Sequence, residues 1–242
     1  MDFSLQAGLF RLRLLYSSHM STQKSQVFPA PSPAEQKPGA CPPAKPRRLF
    51  WKIASSVTAL YLLLNIGGKC RVVTREYEVF DARVHDEVRI CVVSDLHGAL
   101  YGADQKELVS AIESARPDVV LLLGDLFDQH GKNKHTVTLL NALSGRFTCY
   151  FVPGNHEYKT GTIAEIRAAV KEAGIPILAG ENALVVKGET RVRIFGIDDG
   201  LGGKQKQLRQ IVQAAKQMDP AEYSVLAVHV PNGVESYLRY GF

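Results

Sequence analysis

Four short segments carry side chains able to hold metal ions or move protons: Asp95-Leu96-His97-Gly98, Gly124-Asp125-Leu126-Phe127-Asp128, Pro153-Gly154-Asn155-His156-Glu157, and His229. Carboxylate, imidazole and amide oxygen are all competent donors to a borderline divalent ion. Singly, each segment has an ordinary explanation, because Asp-x-His recurs by accident and Gly-Asp and Gly-Asn are common turn pairs. Their shared position changes the reading. Each directly follows an apolar run of strand length, and neighbouring strands lie about 4.8 Å apart, so groups at successive strand ends can converge around a pair of ions.

The elements that must position these groups are legible as alternating strands and helices. Val88–Ser94, Val119–Leu123 and Phe147–Val152 read as buried strands, and Gln105–Ala115, His135–Leu143 and Thr162–Ala173 as the helices between and after them. Thr162 and Glu165 have the spacing of a capping box, and Gly174 closes that helix. Ala183–Val186 and Val192–Phe195 are close enough to pair as a hairpin. A helix over Lys206–Met218 leads to a strand at Ser224–Val228, and Asn232–Tyr240 reads as a last helix. This pattern predicts an α/β fold with a mostly parallel sheet covered by helices, drawn from the sequence as one open sheet, with function at the carboxyl ends of its strands.

At 242 residues and 45% hydrophobic content, the chain can bury a sizeable core. Its net charge of +5 is local: residues 1–78 hold 11 Lys/Arg against 4 Asp/Glu, leaving 18 against 20 for residues 79–242. A nearly neutral domain argues against nucleic acid as a partner, since phosphate-tracking surfaces carry a basic excess. The four cysteines are widely spaced with no Cys-x-x-Cys pair, which excludes zinc ribbons and thioredoxin-like chemistry.

Residues 1–48 read as a flexible tail, because Ser17–Arg48 is rich in Ser, Gln, Pro and Lys and residues 29–46 hold seven of the twelve prolines. Residues 49–68 read as a hydrophobic signal or membrane anchor, 69–78 as a linker, and 79–242 as the main domain. Arg47-Arg48-Leu49-Phe50-Trp51-Lys52 resembles the twin-arginine export motif. The apolar residues Ile53–Gly67 extend about 22 Å as a helix, short of a ~30 Å hydrocarbon core, so an uncleaved anchor, a cleaved signal and an amphipathic docking helix all remain open. The expected location is membrane-anchored or exported, with the twin-arginine machinery as a partner.

Taken together, Asp-Leu-His-Gly, Gly-Asp-Leu-x-Asp, Gly-Asn-His-Glu-Tyr and the strand-end His229 resemble the calcineurin-like metallophosphoesterase superfamily over Val79–Phe242, particularly bacterial members with an N-terminal hydrophobic segment. The resemblance implies a four-layer α/β/β/α sandwich and hydrolysis of a phosphomonoester or phosphodiester by a metal-activated water. It also implies two divalent ions (Mn²⁺, Fe or Zn²⁺). Asp95 and His97 are assigned to one ion and Asn155 and His229 to the other, with Asp125 bridging both and His156 acting as proton donor or transition-state stabiliser. An apolar anchor beside such a site points to a lipid-linked phosphoester as substrate. The superfamily closes its site with a Gly-His-x-His turn, a form that does not occur in this sequence. The expectation is therefore a truncated frame with a weak or inactive site; the alternative is a binding or scaffold protein that keeps the fold without catalysis.

Overall fold

The computed structural model describes residues 8–17, 72–128, 133–199 and 203–242. In chain order its elements are β1 (Gly8–Ser17), β2 (Val72–Asp81), β3 (Val88–Ser94), α1 (Lys106–Ala115), β4 (Val119–Leu123), α2 (Lys134–Leu143) and β5 (Cys149–Val152). There follow α3 (Asn155–Lys159), α4 (Ile163–Glu172), β6 (Asn182–Lys187), β7 (Thr190–Ile197), α5 (Gly203–Ala215), β8 (Tyr223–Val228) and α6 (Val234–Arg239).

The strands divide between two sheets, ordered β2-β1-β3-β4-β5 and β6-β7-β8. β3, β4 and β5 run parallel, β6 and β7 form the expected antiparallel hairpin, and β8 adds parallel to β7. Strand periodicity explains why there are two layers of strand and not one. In β3, Val88, Ile90 and Val92 join Val119, Leu121 and Val152 against Val192, Ile194 and Ala227 of the second sheet, with Leu178 of the connecting segment packed among them. The alternate residues Cys91, Val93, Val120, Leu122 and Phe151 face the other way, onto Leu108 and Ile112 of α1, Leu139 and Leu143 of α2, and Ile166 and Val170 of α4. The outer face of the second sheet packs Ile197, Leu226 and Val228 on Ile211 of α5 and Tyr237 of α6. The layers are thus helix, sheet, sheet, helix.

The single open sheet inferred from strand order alone is corrected by this arrangement. After β5 the chain first closes the edge of the first sheet, where Phe151 N–H donates to the Pro176 carbonyl (2.9 Å) and Leu178 N–H to the Phe151 carbonyl (2.8 Å). It then enters the second sheet, with Gly180 N–H on the Gly196 carbonyl at 2.9 Å. Nothing in the local composition of β6 to β8 marks that crossing.

Three local readings also differ. Gly8–Ser17, inside the stretch 1–48 read as a tail, forms β1 between β2 and β3. The tail composition belongs to residues 17–48, whereas Gly-Leu-Phe-Arg-Leu-Arg-Leu-Leu-Tyr is rich in strand-compatible residues. Val72–Glu78, read as linker, is the body of β2. Thr162 makes no capping bond to its helix, and its hydroxyl donates instead to Thr160 Oγ1 at 3.1 Å. The remaining tail, the segment 49–68 and the twin-arginine-like motif lie outside the described residues. Among the described residues, no helix is long and apolar enough to cross a membrane.

Candidate metal centre

The four motif segments come together at the carboxyl ends of β3, β4, β5 and β8. The turns that carry them are held to one another by their backbones. Asp95 N–H donates to the Gly124 carbonyl (3.2 Å), His97 N–H to that of Asp125 (2.9 Å), and Gly98 N–H to that of Leu126 (2.9 Å). These bonds hold three non-glycine residues in the left-handed region: Asp95 at φ 56°, His97 at 47° and Asp125 at 53°. Such conformations cost about 1–2 kcal/mol each and persist where surrounding contacts over-determine them.

Two glycines permit the close approach. Gly124 has φ 70°, and a β-carbon there would lie 2.7 Å from His229 Cβ. A β-carbon on Gly154 would stand 2.6 Å from the Asp125 nitrogen. The Gly-Asp and Gly-Asn pairs are therefore turn chemistry and site chemistry at once, because only a hydrogen at these positions lets β4, β5 and β8 end this close together.

Glu157 sets the geometry underneath. Its fully buried carboxylate accepts the N–H groups of Asp125 (2.9 Å), Leu126 (2.7 Å), Phe127 (3.0 Å) and Gly154 (2.8 Å). One side chain thereby ties the β4 turn to the start of α3. Burial pushes the Glu157 carboxyl above its ordinary range, against the opposing pull of these donors.

Asp125 is the centre of the cluster, its side chain 6% exposed. Its Oδ1 accepts the His156 N–H at 2.8 Å. Its Oδ2 lies 3.1 Å from His229 Nε2, 3.9 Å from His97 Nε2 and 4.0 Å from His156 Nε2. Asp95 Oδ1 is 3.9 Å from both His97 Nε2 and His229 Nε2. Two sets of potential ligand atoms result, each within 4.8 Å: His97, Asp125 and His156, and Asp95, Asp125 and His229. Asp125 belongs to both.

The imidazoles are oriented from behind. His229 Nδ1 sits 3.0 Å from the Leu123 carbonyl, so that nitrogen carries the proton and Nε2 faces Asp125. His156 Nδ1 lies 3.1 Å from Asp128 Oδ1, and the His97 and His156 rings meet edge to face at 4.7 Å. Burial disfavours charge on His229, but its bond to Asp125 and the nearby Asp95 outweigh this and raise its pKa to about 9. Burial pushes Asp125 up, yet the His229 contact and the His156 N–H bring it below its ordinary value.

The donor set fits divalent metal. Carboxylate oxygens and outward-facing imidazole nitrogens are the ligands borderline ions take, and ligand histidines characteristically give their second nitrogen to a carbonyl or carboxylate, as His229 does.

A family profile described as calcineurin-like phosphoesterase matches residues 88–241. The chain belongs to the calcineurin-like phosphoesterase family. Among its relatives is a zebrafish (Danio rerio) protein described as a transmembrane protein with metallophosphoesterase domain, 30% identical over 61% of this chain and 35% of the relative. An uncharacterised metallophosphoesterase of Helicobacter pylori is 28% identical over 70% of this chain and 45% of its own length. Another from Bacillus subtilis is 23% identical over 61% and 52%. The chain spans about a third to a half of the length of the curated relatives it matches.

Within this calcineurin-like domain, five of the six site residues read from the sequence, Asp95, His97, Asp125, His156 and His229, fall in the two ligand sets. The sets group His97 with His156 and Asp95 with His229, while Asp95 Oδ1 is equally close to His97 and to His229 at 3.9 Å. Asn155 opens α3 and lines a neighbouring cleft of about 310 Å³ with Asp199, Lys204, Gln207, Val230 and Asn232. Glu157 and Asp128 lie inside the motif segments but received no role of their own from the sequence. The signal was present for both: an acid inside Gly-Asn-His-Glu, and one three residues after Asp125.

Proposed function

We propose that this chain is a metal-dependent hydrolase of phosphoesters, with a dinuclear centre bridged by Asp125. The observation that carries the reading is that a single buried carboxylate is common to two sets of ligand atoms. Asp95, His97, Asp125, Asn155 and His229 would hold the ions. Bound there, two divalent ions would polarise the phosphoryl oxygens and acidify a water for in-line attack.

The chain's own residues supply the rest. Asp125 offers two oxygens and a full negative charge, and its Oδ1 is fixed by the His156 N–H. His156 stands over the same oxygens without the deep burial of His229, where it can protonate the departing alkoxide. Donation from Nε2 requires a ring carrying both protons, and Asp128 Oδ1 can accept the hydrogen bond from Nδ1–H in the 3.1 Å contact. Asn155 contributes a neutral oxygen, which limits the negative charge gathered on its side.

Membrane attachment through residues 49–68, export by the twin-arginine route and a lipid-linked phosphoester as substrate belong to the same proposal. Membrane attachment is supported by the sequence layout and by the description of the zebrafish relative as a transmembrane protein, while the export route and the lipid-linked substrate rest on the sequence layout alone. The test of the core reading is a pair of variants assayed with Mn²⁺. Asp125→Ala should abolish most phosphoester hydrolysis, and Asn155→Ala should cost less because the bridging charge survives. Equal and negligible effects of both would place the chemistry elsewhere.

A further inference from the structure

We propose that Asp199 is a positioning residue for the metal ligand His229, acting through the backbone of Val230. The proposal rests on the assignment of His229 as a ligand. In the β7–β8 ladder Ile197 stands beside Val228, so Asp199 and Val230 are level with each other two residues beyond the last paired position. There the ladder has ended, and a side chain takes over from the backbone. Asp199 Oδ2 accepts the Val230 N–H at 2.8 Å, immediately after His229. Its Oδ1 accepts the side-chain amide of Gln207, which is almost fully buried on α5. Its own N–H reaches the Pro153 carbonyl at 3.4 Å, in the turn that delivers Asn155.

One residue thus joins the ends of β5, β7 and β8 to α5, its carboxylate reaching Val230 and Gln207 and its backbone N–H reaching Pro153. The preceding residue anchors this clamp. Asp198 is 1% exposed and accepts the Tyr158 hydroxyl (2.5 Å) and Lys206 Nζ (2.7 Å), while its N–H donates to Gln210 Oε1 (3.1 Å). Tyr158 belongs to α3 and Lys206 and Gln210 to α5, so the turn carrying Asp199 is held by helices on both sides. Without Asp199, the Val230 N–H would lose its acceptor and the strand end would be free to rotate. His229 would then keep the bond to Leu123 only by following the backbone. Loss of such outer support for a ligand typically weakens metal binding about ten- to a hundredfold.

The experiment measures Mn²⁺ affinity by calorimetry on the metal-free full chain, at a temperature where circular dichroism shows every variant folded. The histidine-ring NMR signals of His229 are recorded alongside. Asp199→Ala should weaken affinity about ten- to a hundredfold and broaden the His229 Nδ1–H resonance. The double variant Asp199→Asn with Gln207→Glu keeps an acceptor for Val230 N–H, a donor–acceptor pair to α5 and the net charge. It should return both readings to near wild type. Gln207→Leu removes one arm of the clamp and should give an intermediate loss, which keeps the proposal exposed if Asp199→Ala does not fold. Unchanged affinity in Asp199→Ala, or in Gln207→Leu, would overturn the proposal. So would a double variant as weak as Asp199→Ala, because restoring the bonds to Val230 and α5 would then restore nothing. A wild-type chain that binds Mn²⁺ but turns over no phosphoester would refute the proposed function and not this inference.

Discussion

Protons and metal must compete for His229. Its Nε2 lies 3.1 Å from Asp125 Oδ2 and its Nδ1 3.0 Å from the Leu123 carbonyl, an arrangement that suits a ring carrying both protons. Its pKa is raised from 6.5 to about 9. An ion can take Nε2 only after that proton leaves. At pH 7, about two units below the raised pKa, displacement costs roughly 2.7 kcal/mol at 1.36 kcal/mol per unit. Apparent Mn²⁺ affinity should therefore rise about tenfold per pH unit between pH 6 and pH 8, with close to one proton released from His229 per centre formed. Calorimetry at pH 7.5 in two buffers of different ionisation enthalpy counts that proton. The sign for the metal-free fold is opposite. A raised folded-state pKa gives stability that is fully present below pH 6.5 and is lost as pH climbs through about 9, on the order of 3 kcal/mol for this ring. Affinity that is flat with pH and binding without proton release would together refute the competition.

Glu157→Gln should destabilise the fold by roughly 3 kcal/mol or more in urea, since a neutral amide brings its own donor against N–H groups that four backbone positions direct at the carboxylate. Gly124→Ala should weaken Mn²⁺ binding as well as lower the melting temperature, because the added carbon meets His229 itself; a drop in stability with full affinity would contradict this. His156→Ala should slow hydrolysis of alkyl phosphoesters far more than that of nitrophenyl esters, whose leaving groups need little protonation. Equal slowing on both would remove His156 from the role of proton donor.

The contrast between what the sequence disclosed and what it hid has a physical basis. Asp95, Asp125 and His229 were legible because each follows a run of apolar strand residues, a local pattern that survives without knowledge of the fold. The division into two sheets was not, because Val192 and Ile194 look alike whether they pack on a helix or on Val88 and Ile90 of another sheet. β1 was hidden by the proline-rich segment that follows it. Asp128, Glu157 and Asp199 were missed or undervalued because their partners lie 28 to 32 residues away in sequence: His156 for the first, Asp125 for the second, Val230 for the third. A side chain whose work is to hold another turn has no signature until the turns are brought together.

The most direct test of the dinuclear centre is one Mn²⁺ titration of the metal-free chain, with bound ions counted by electron paramagnetic resonance and phosphodiester hydrolysis followed in the same samples. Turnover should stay near zero until the second ion binds, should rise with a spin-coupled Mn²⁺ pair, and should be absent with that coupling in Asp125→Ala. Full hydrolysis in excess chelator, or a coupled pair that turns over no phosphoester, would contradict the account.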